Sequence, residues 1–142
     1  MNEQSVFALW PILAFLSIGG GIATMVFFAA IVTPTAFQSL GEEAAGPFVR
    51  ALFPVYYLFF LILAGLATLF ALLAQAEFAA LLLALVTGGF AYGRFLLTPA
   101  INTARESEDR SVYKKLHRRA VIVNIVQIAG FVLAILLIAG QF

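Results

Sequence analysis

Hydrophobic positions along this chain are contiguous, gathered into long runs that short polar clusters separate. No charged residue falls between Glu3 and Glu42, none between Arg50 and Glu77, and none after Arg119; a shorter uncharged run lies between Glu77 and Arg94. A helix needs about 20 predominantly apolar residues to cross the hydrocarbon core of a bilayer. The runs therefore predict spans at about residues 6–33, 48–75, 77–98 and 119–139, in a single domain covering 1–142. They lack the apolar/polar alternation of barrel strands, and helices satisfy their own backbone in lipid. The expected fold class is all-α: an integral membrane four-helix bundle.

Two matching breakers close the first and third runs, Val32-Thr33-Pro34 and Leu97-Thr98-Pro99. Proline lacks a donor and disfavours helical geometry in the residue before it, so each predicts a helix end or kink. Sliding the chain by 65 residues superposes these breakers, and with them Phe48 on Tyr113, Arg50 on Lys115, Glu43 on Glu108 and Ala64-Gly65 on Ala129-Gly130. The register implies two copies of a helix hairpin, both entering from the same face: parallel repeats about an axis along the membrane normal. Ser39 with Glu42, and Thr103 with Glu106, have the spacing of capping boxes. Val112, Tyr113, Leu116 and Ala120 recur at helical spacing among charges, so the fourth span is expected to begin as an amphipathic extension.

Composition sharpens the class. The chain is 63% hydrophobic and 11% charged, far from the roughly 25% charge of a soluble domain. Eight Lys+Arg against seven Asp+Glu leave no basic excess for nucleic acid. All eight basic residues, Arg50, Arg94, Arg105, Arg110, Lys114, Lys115, Arg118 and Arg119, belong to the side that carries the first and third loops. The side of the termini holds only Glu3 and Glu77. The positive-inside bias then puts the basic loops in the cytoplasm and both termini outside, an N-out/C-out multi-pass protein of the inner (plasma) membrane. The first run has no basic residue ahead of it and is too long for a signal peptide, so it is read as a retained helix.

Small residues let helices approach closely in lipid. Ala80, Ala84 and Gly88, followed by the Gly89–Gly93 GxxxG step, give the third helix such a face. It serves either packing within the bundle or a homodimer seam through Gly89 and Gly93.

Candidate chemistry concentrates on the fourth helix. At 100° per residue His117, Ala120, Asn124 and Gln127 share one arc, and polar side chains at membrane depth face a bundle interior or a wet cavity. With Arg94 and Tyr92 facing it, this stripe either bonds helices together or lines a solute path. Arg94 is close enough to the cytoplasmic interface to snorkel, or it turns inward to a carboxylate or an anion. His117 is the only histidine, there is no cysteine, and the methionines are Met1 and Met25, so no metal site is expected. An axial haem contact or a quinone-linked proton donor at His117 is the redox alternative. No catalytic constellation or intramembrane carboxylate is evident, and the chain is read as non-enzymatic. The segment Arg105–Arg119 is either a topology-setting stretch or a scaffold for a soluble partner.

Leu52-Phe53-Pro54-Val55-Tyr56-Tyr57, preceded by Phe37 and Gly46, resembles the LFP-x-Y/F-Y/F signature of transmembrane protein 205-like domains. Pro99, Arg105 and His117 with Asn124 match that family's proline, loop basic residue and H-x6-N pattern, although Arg118 stands where animal members have glycine and the last loop is shorter. The resemblance implies a four-helix membrane domain of unestablished activity, with Phe53, Pro54, Tyr57, Pro99, His117 and Asn124 as its motif positions. Together these readings point to small-solute handling or transport, or an accessory membrane subunit, with the lipid bilayer as the constant partner.

Overall fold

A run of apolar residues leaves backbone amides no partner in lipid except one another, and helix is the local solution. The computed structural model describes residues 3–141, with side chains from Phe7 to Gln141. Helix α1 (Glu3–Phe27) passes through a π turn (Phe28–Val32) into α2 (Thr33–Leu73). After a turn, α3 (Glu77–Tyr92) passes through a second π turn (Gly93–Leu97) into α4 (Thr98–Glu106), and α5 (Arg110–Ala139) follows. Among the described residues there is no strand.

Helix α2 is interrupted at Gly41, where φ 71° and ψ 167° depart from helical values. That region is essentially restricted to glycine, because a Cβ collides with the backbone there. The chain reverses at this point. Trp10 stacks on Phe70 at 6.3 Å and Phe28 meets Tyr56 at 4.9 Å, so the limb after Gly41 runs back along α1. Helix α3 returns along that limb, with Thr68 and Thr87 hydroxyls 3.3 Å apart and Phe60 stacked on Phe90 at 5.2 Å. Gly89 and Gly130 of α3 and α5 receive Gln127 and Val86 respectively, which sets α5 antiparallel to α3.

Of the two outcomes the breakers allow, an end or a kink, the helices do not end at Thr33-Pro34 or Thr98-Pro99. Each Thr-Pro is crossed by a π turn instead. The N–H of Thr33 bonds Phe28 O and that of Thr98 bonds Gly93 O, five residues back. The Thr98 hydroxyl adds a 2.8 Å bond to the same Gly93 carbonyl. The wider turn moves the preceding carbonyls away from the pyrrolidine ring, which would collide with them in a regular helix. Both π turns hold the same register 65 residues apart, alongside Thr33-Pro34 and Thr98-Pro99. The helices consequently extend beyond the expected spans, to Leu40 before the Gly41 break and to Glu106 at the end of α4.

The expected capping box at Thr103 is corrected, since this residue lies within α4. Asp109 caps the next helix, accepting a 3.1 Å bond from Val112 N, so α5 does begin well ahead of its apolar stretch. Ser39 likewise sits within helix ahead of Gly41 rather than at a start.

The core fills the half of the bundle away from the two Thr-Pro turns. Phe60, Phe90, Phe131, Ile18 and Leu83 interlock with Ala14, Ala64, Ala67 and Ala71. Outside, large apolar side chains are bare: Phe78 is 74% and Leu85 68% exposed. Three helical stretches among the described residues are long and apolar enough to cross a membrane: Phe7–Leu73 (67 residues), Glu77–Glu106 (30) and Arg110–Ala139 (30). This is a membrane protein whose apolar coat faces lipid.

Candidate functional site

At the proline end the helices diverge around a cavity of about 200 Å³. Each stretch of chain contributes a distinct chemistry. From the two proline-bearing turns come Thr33 and Thr98, which share a register in the 65-residue offset. The limb after Gly41 supplies Arg50, Phe53 and Tyr57; α4 supplies Asn102 and Arg105; and α5 supplies Tyr113, His117 and Asn124. Among the described residues no Asp or Glu lines the cavity, although two arginines do.

The two arginines differ in setting: Arg105 is exposed and Arg50 half-buried. Arg105 lies over the Tyr113 ring, its Cζ 5.4 Å from the centroid, in a cation–π contact. Its Nη2 reaches across to buried Gly46, where a Cβ would stand 3.8 Å away. A larger side chain at Gly46 would block this crossing. Arg50 is half-buried, and its Nε is fully covered with no hydrogen-bond partner among the described residues. A buried, unpaired donor on a charged group is costly, and Arg94 Nε, away from the cavity lining, is in the same state.

The floor is a polar knot. Asn124 Oδ1 accepts from Tyr56 Oη at 3.0 Å, and Asn124 Nδ2 donates to Ala120 O at 3.0 Å and to Tyr57 Oη at 3.4 Å. Tyr57 is 2% exposed, and its ring rests on Gly93, which has no side chain to hinder it. Phe28, Phe53 and Phe60 surround Tyr56. At the rim His117 is exposed and stacks on Tyr113, with centroids 5.9 Å apart and planes within 14°.

Residues 7–110 match a family described as a domain of unknown function, DUF4149. The chain belongs to this family. No curated protein and no solved structure matches it. The DUF4149 match contains Arg50, Tyr57, Asn102 and Arg105 and ends at the start of α5, so the cavity joins family-defining helices to a wall that lies outside the matched stretch.

The residues singled out by sequence divide into three groups. His117 and Asn124 share the cavity. Gln127, one turn beyond Asn124, is 2% exposed, packs on Gly89, and has neither amide atom paired among the described residues. Tyr92 and Arg94 stand apart from the cavity lining. Tyr92 Oη receives a long 3.5 Å contact from Arg119 Nη1, while the Arg94 guanidinium lies 5.6 Å from the Phe95 ring centroid. The stripe on α5 therefore deepens from solvent to core, and only its upper part borders open space. Gly89 and Gly93 pack against Gln127 and Tyr57 of the same chain. The reading from α5 alone missed Arg50, Asn102, Arg105 and Tyr57, which three turns of packing bring to the same place. The resemblance did mark part of this set, since Phe37, Gly46, Phe53, Tyr57 and Arg105 all line the cavity.

Proposed function

We propose that this chain is a four-span inner-membrane protein, built of two parallel helix hairpins with both termini outside, that handles a small polar or anionic solute at its cytoplasmic end. Its kinship would then lie with the transmembrane protein 205-like domains whose landmarks converge on the cavity. The observation that carries this reading is a cavity whose lining includes Arg50 and Arg105 and, among the described residues, no carboxylate; Glu108 and Asp109 border Arg105 only on its other side, in a separate surface pocket. Two like charges facing one space repel, and an oxyanion between them relieves the repulsion through charge-assisted hydrogen bonds. Arginine is the residue suited to such planar, two-point recognition. Asn102, Asn124 and the two threonines give a bound group further neutral polar contacts.

In this account His117 guards the rim and Asn124 holds the floor in shape. A thermal-shift comparison of the purified protein across a series of small anions tests the reading. At least one anion is expected to raise the melting temperature, and Arg50→Gln should abolish the shift. A series in which no anion stabilises the protein, or in which Arg50→Gln responds equally, would refute it.

A further inference from the structure

The cavity is larger than a bare oxyanion needs and smaller than a site for an extended solute. Its volume of about 200 Å³ corresponds to the share of roughly six or seven waters at about 30 Å³ each. Sites that enclose drug-sized ligands run to about 300–1,000 Å³. The lining is also mixed. Alongside the cationic and amide residues it includes Phe37, Val49, Phe53, Ile101 and Val121, a set with no polar side-chain atom. Two of these apolar residues reach the surface: Phe37 is 40% and Val121 45% exposed. They belong to α2 ahead of its break and to α5. The cavity thus meets the exterior beside apolar side chains as well as beside the exposed Arg105 and His117.

From this mixed lining we infer that the ligand is an amphiphilic oxyanion, a phosphate or carboxylate head on a hydrocarbon tail, with the head at Arg50 and Arg105 and the first methylenes along Phe37 and Val121. The inference rests on the anionic reading above and names its ligand class. A free anion would leave the apolar lining unused, and a neutral amphiphile would bring no charge to set against the two arginines. The same head chemistry is available from a membrane phospholipid or from a water-soluble amphiphile.

The full chain in phosphatidylcholine nanodiscs, probed by calorimetric titration with octyl phosphate and with inorganic phosphate, tests this. Octyl phosphate is expected to bind at least tenfold more tightly than inorganic phosphate. Arg50→Gln and Arg105→Gln should each weaken it at least tenfold, whereas Lys115→Gln, which removes a charge outside the cavity, should leave it unchanged. Arg50→Lys serves where the glutamine variant fails to fold, with an expected loss of severalfold because the two-point contact is gone. Adding phosphatidic acid to the nanodiscs identifies the source. Competition with octyl phosphate assigns the head to a membrane lipid, and its absence assigns it to a soluble amphiphile. Equal affinity for the two phosphates would overturn the amphiphile inference and leave the anion site standing. Binding of neither, or binding indifferent to both arginines, would overturn both.

Discussion

Gly93→Ala is the perturbation that reads the packing beneath the cavity most cleanly. Gly93 has ordinary helical angles, φ −57° and ψ −46°, so alanine meets no backbone penalty there. The cost is steric alone. An added Cβ would lie 2.7 Å from Tyr57 Cδ1, 2.9 Å from Cζ, and closer still to Cε1. Tyr57 cannot easily retreat, because it is 2% exposed and wedged among Phe53, Tyr56 and Asn124. Overpacking of a tight core costs about 1–3 kcal/mol. Gly88→Ala is the matched control: its Cβ would meet nothing within 4 Å, and it changes helix propensity in the same direction by about 0.5–1 kcal/mol. Subtracting one variant from the other leaves the steric term, so Gly93→Ala should be less stable than Gly88→Ala by about 1–3 kcal/mol, roughly 5- to 150-fold in the unfolding equilibrium. Reversible unfolding in mixed micelles with increasing denaturing detergent measures this difference. Variants within about 0.5 kcal/mol of one another, the scatter expected of neutral surface changes, would refute the placement of Tyr57 over Gly93.

Other consequences follow from individual contacts. A double-mutant cycle on Tyr56→Phe and Asn124→Ala should give a coupling of about 0.6 kcal/mol and at most about 1.7, the range for interhelical hydrogen bonds in membranes, and zero coupling would remove the bond between them. Gln127→Leu should stabilise the protein by about 1–3 kcal/mol, since it removes a buried amide with no partner among the described residues. A loss of stability in the same unfolding assay would mean that the amide holds a bound group. Gly41→Ala should destabilise by about 1–3 kcal/mol because its φ of 71° with ψ of 167° admits no Cβ without strain. An unaffected variant would place the chain reversal elsewhere.

Much of the helical architecture was legible because charge is so unevenly distributed. The uncharged runs marked the helices, and the Gln75 turn fell where Glu77 broke the pattern. The prolines marked both irregular turns but left end and kink open: a π turn one residue wider than an α turn can carry a helix past Thr-Pro, and no local signal distinguishes that from a stop. Gly41 was hidden in a segment read as loop, and its role emerged only once helix was seen on both sides. At the site, helical periodicity on α5 alone found His117 and Asn124. It could not find Arg50 or Arg105, since they lie on other helices and reach the same cavity only through the packing that follows the Gly41 reversal. The basic residues had a sufficient explanation as topology signals, which masked the two that line the cavity. Arg94, which resembles them in sequence, stays outside it.

The claim on which the rest depends is that the proline end, with its cationic cavity, faces the cytoplasm while the opposite end lies outside. The chain has no cysteine, so single cysteines at Gln75 and Ser107 provide unambiguous reporters. In intact cells, a membrane-impermeant maleimide should label Gln75→Cys directly and Ser107→Cys only after permeabilisation. The opposite pattern, or equal labelling of both positions in intact cells, would contradict the account.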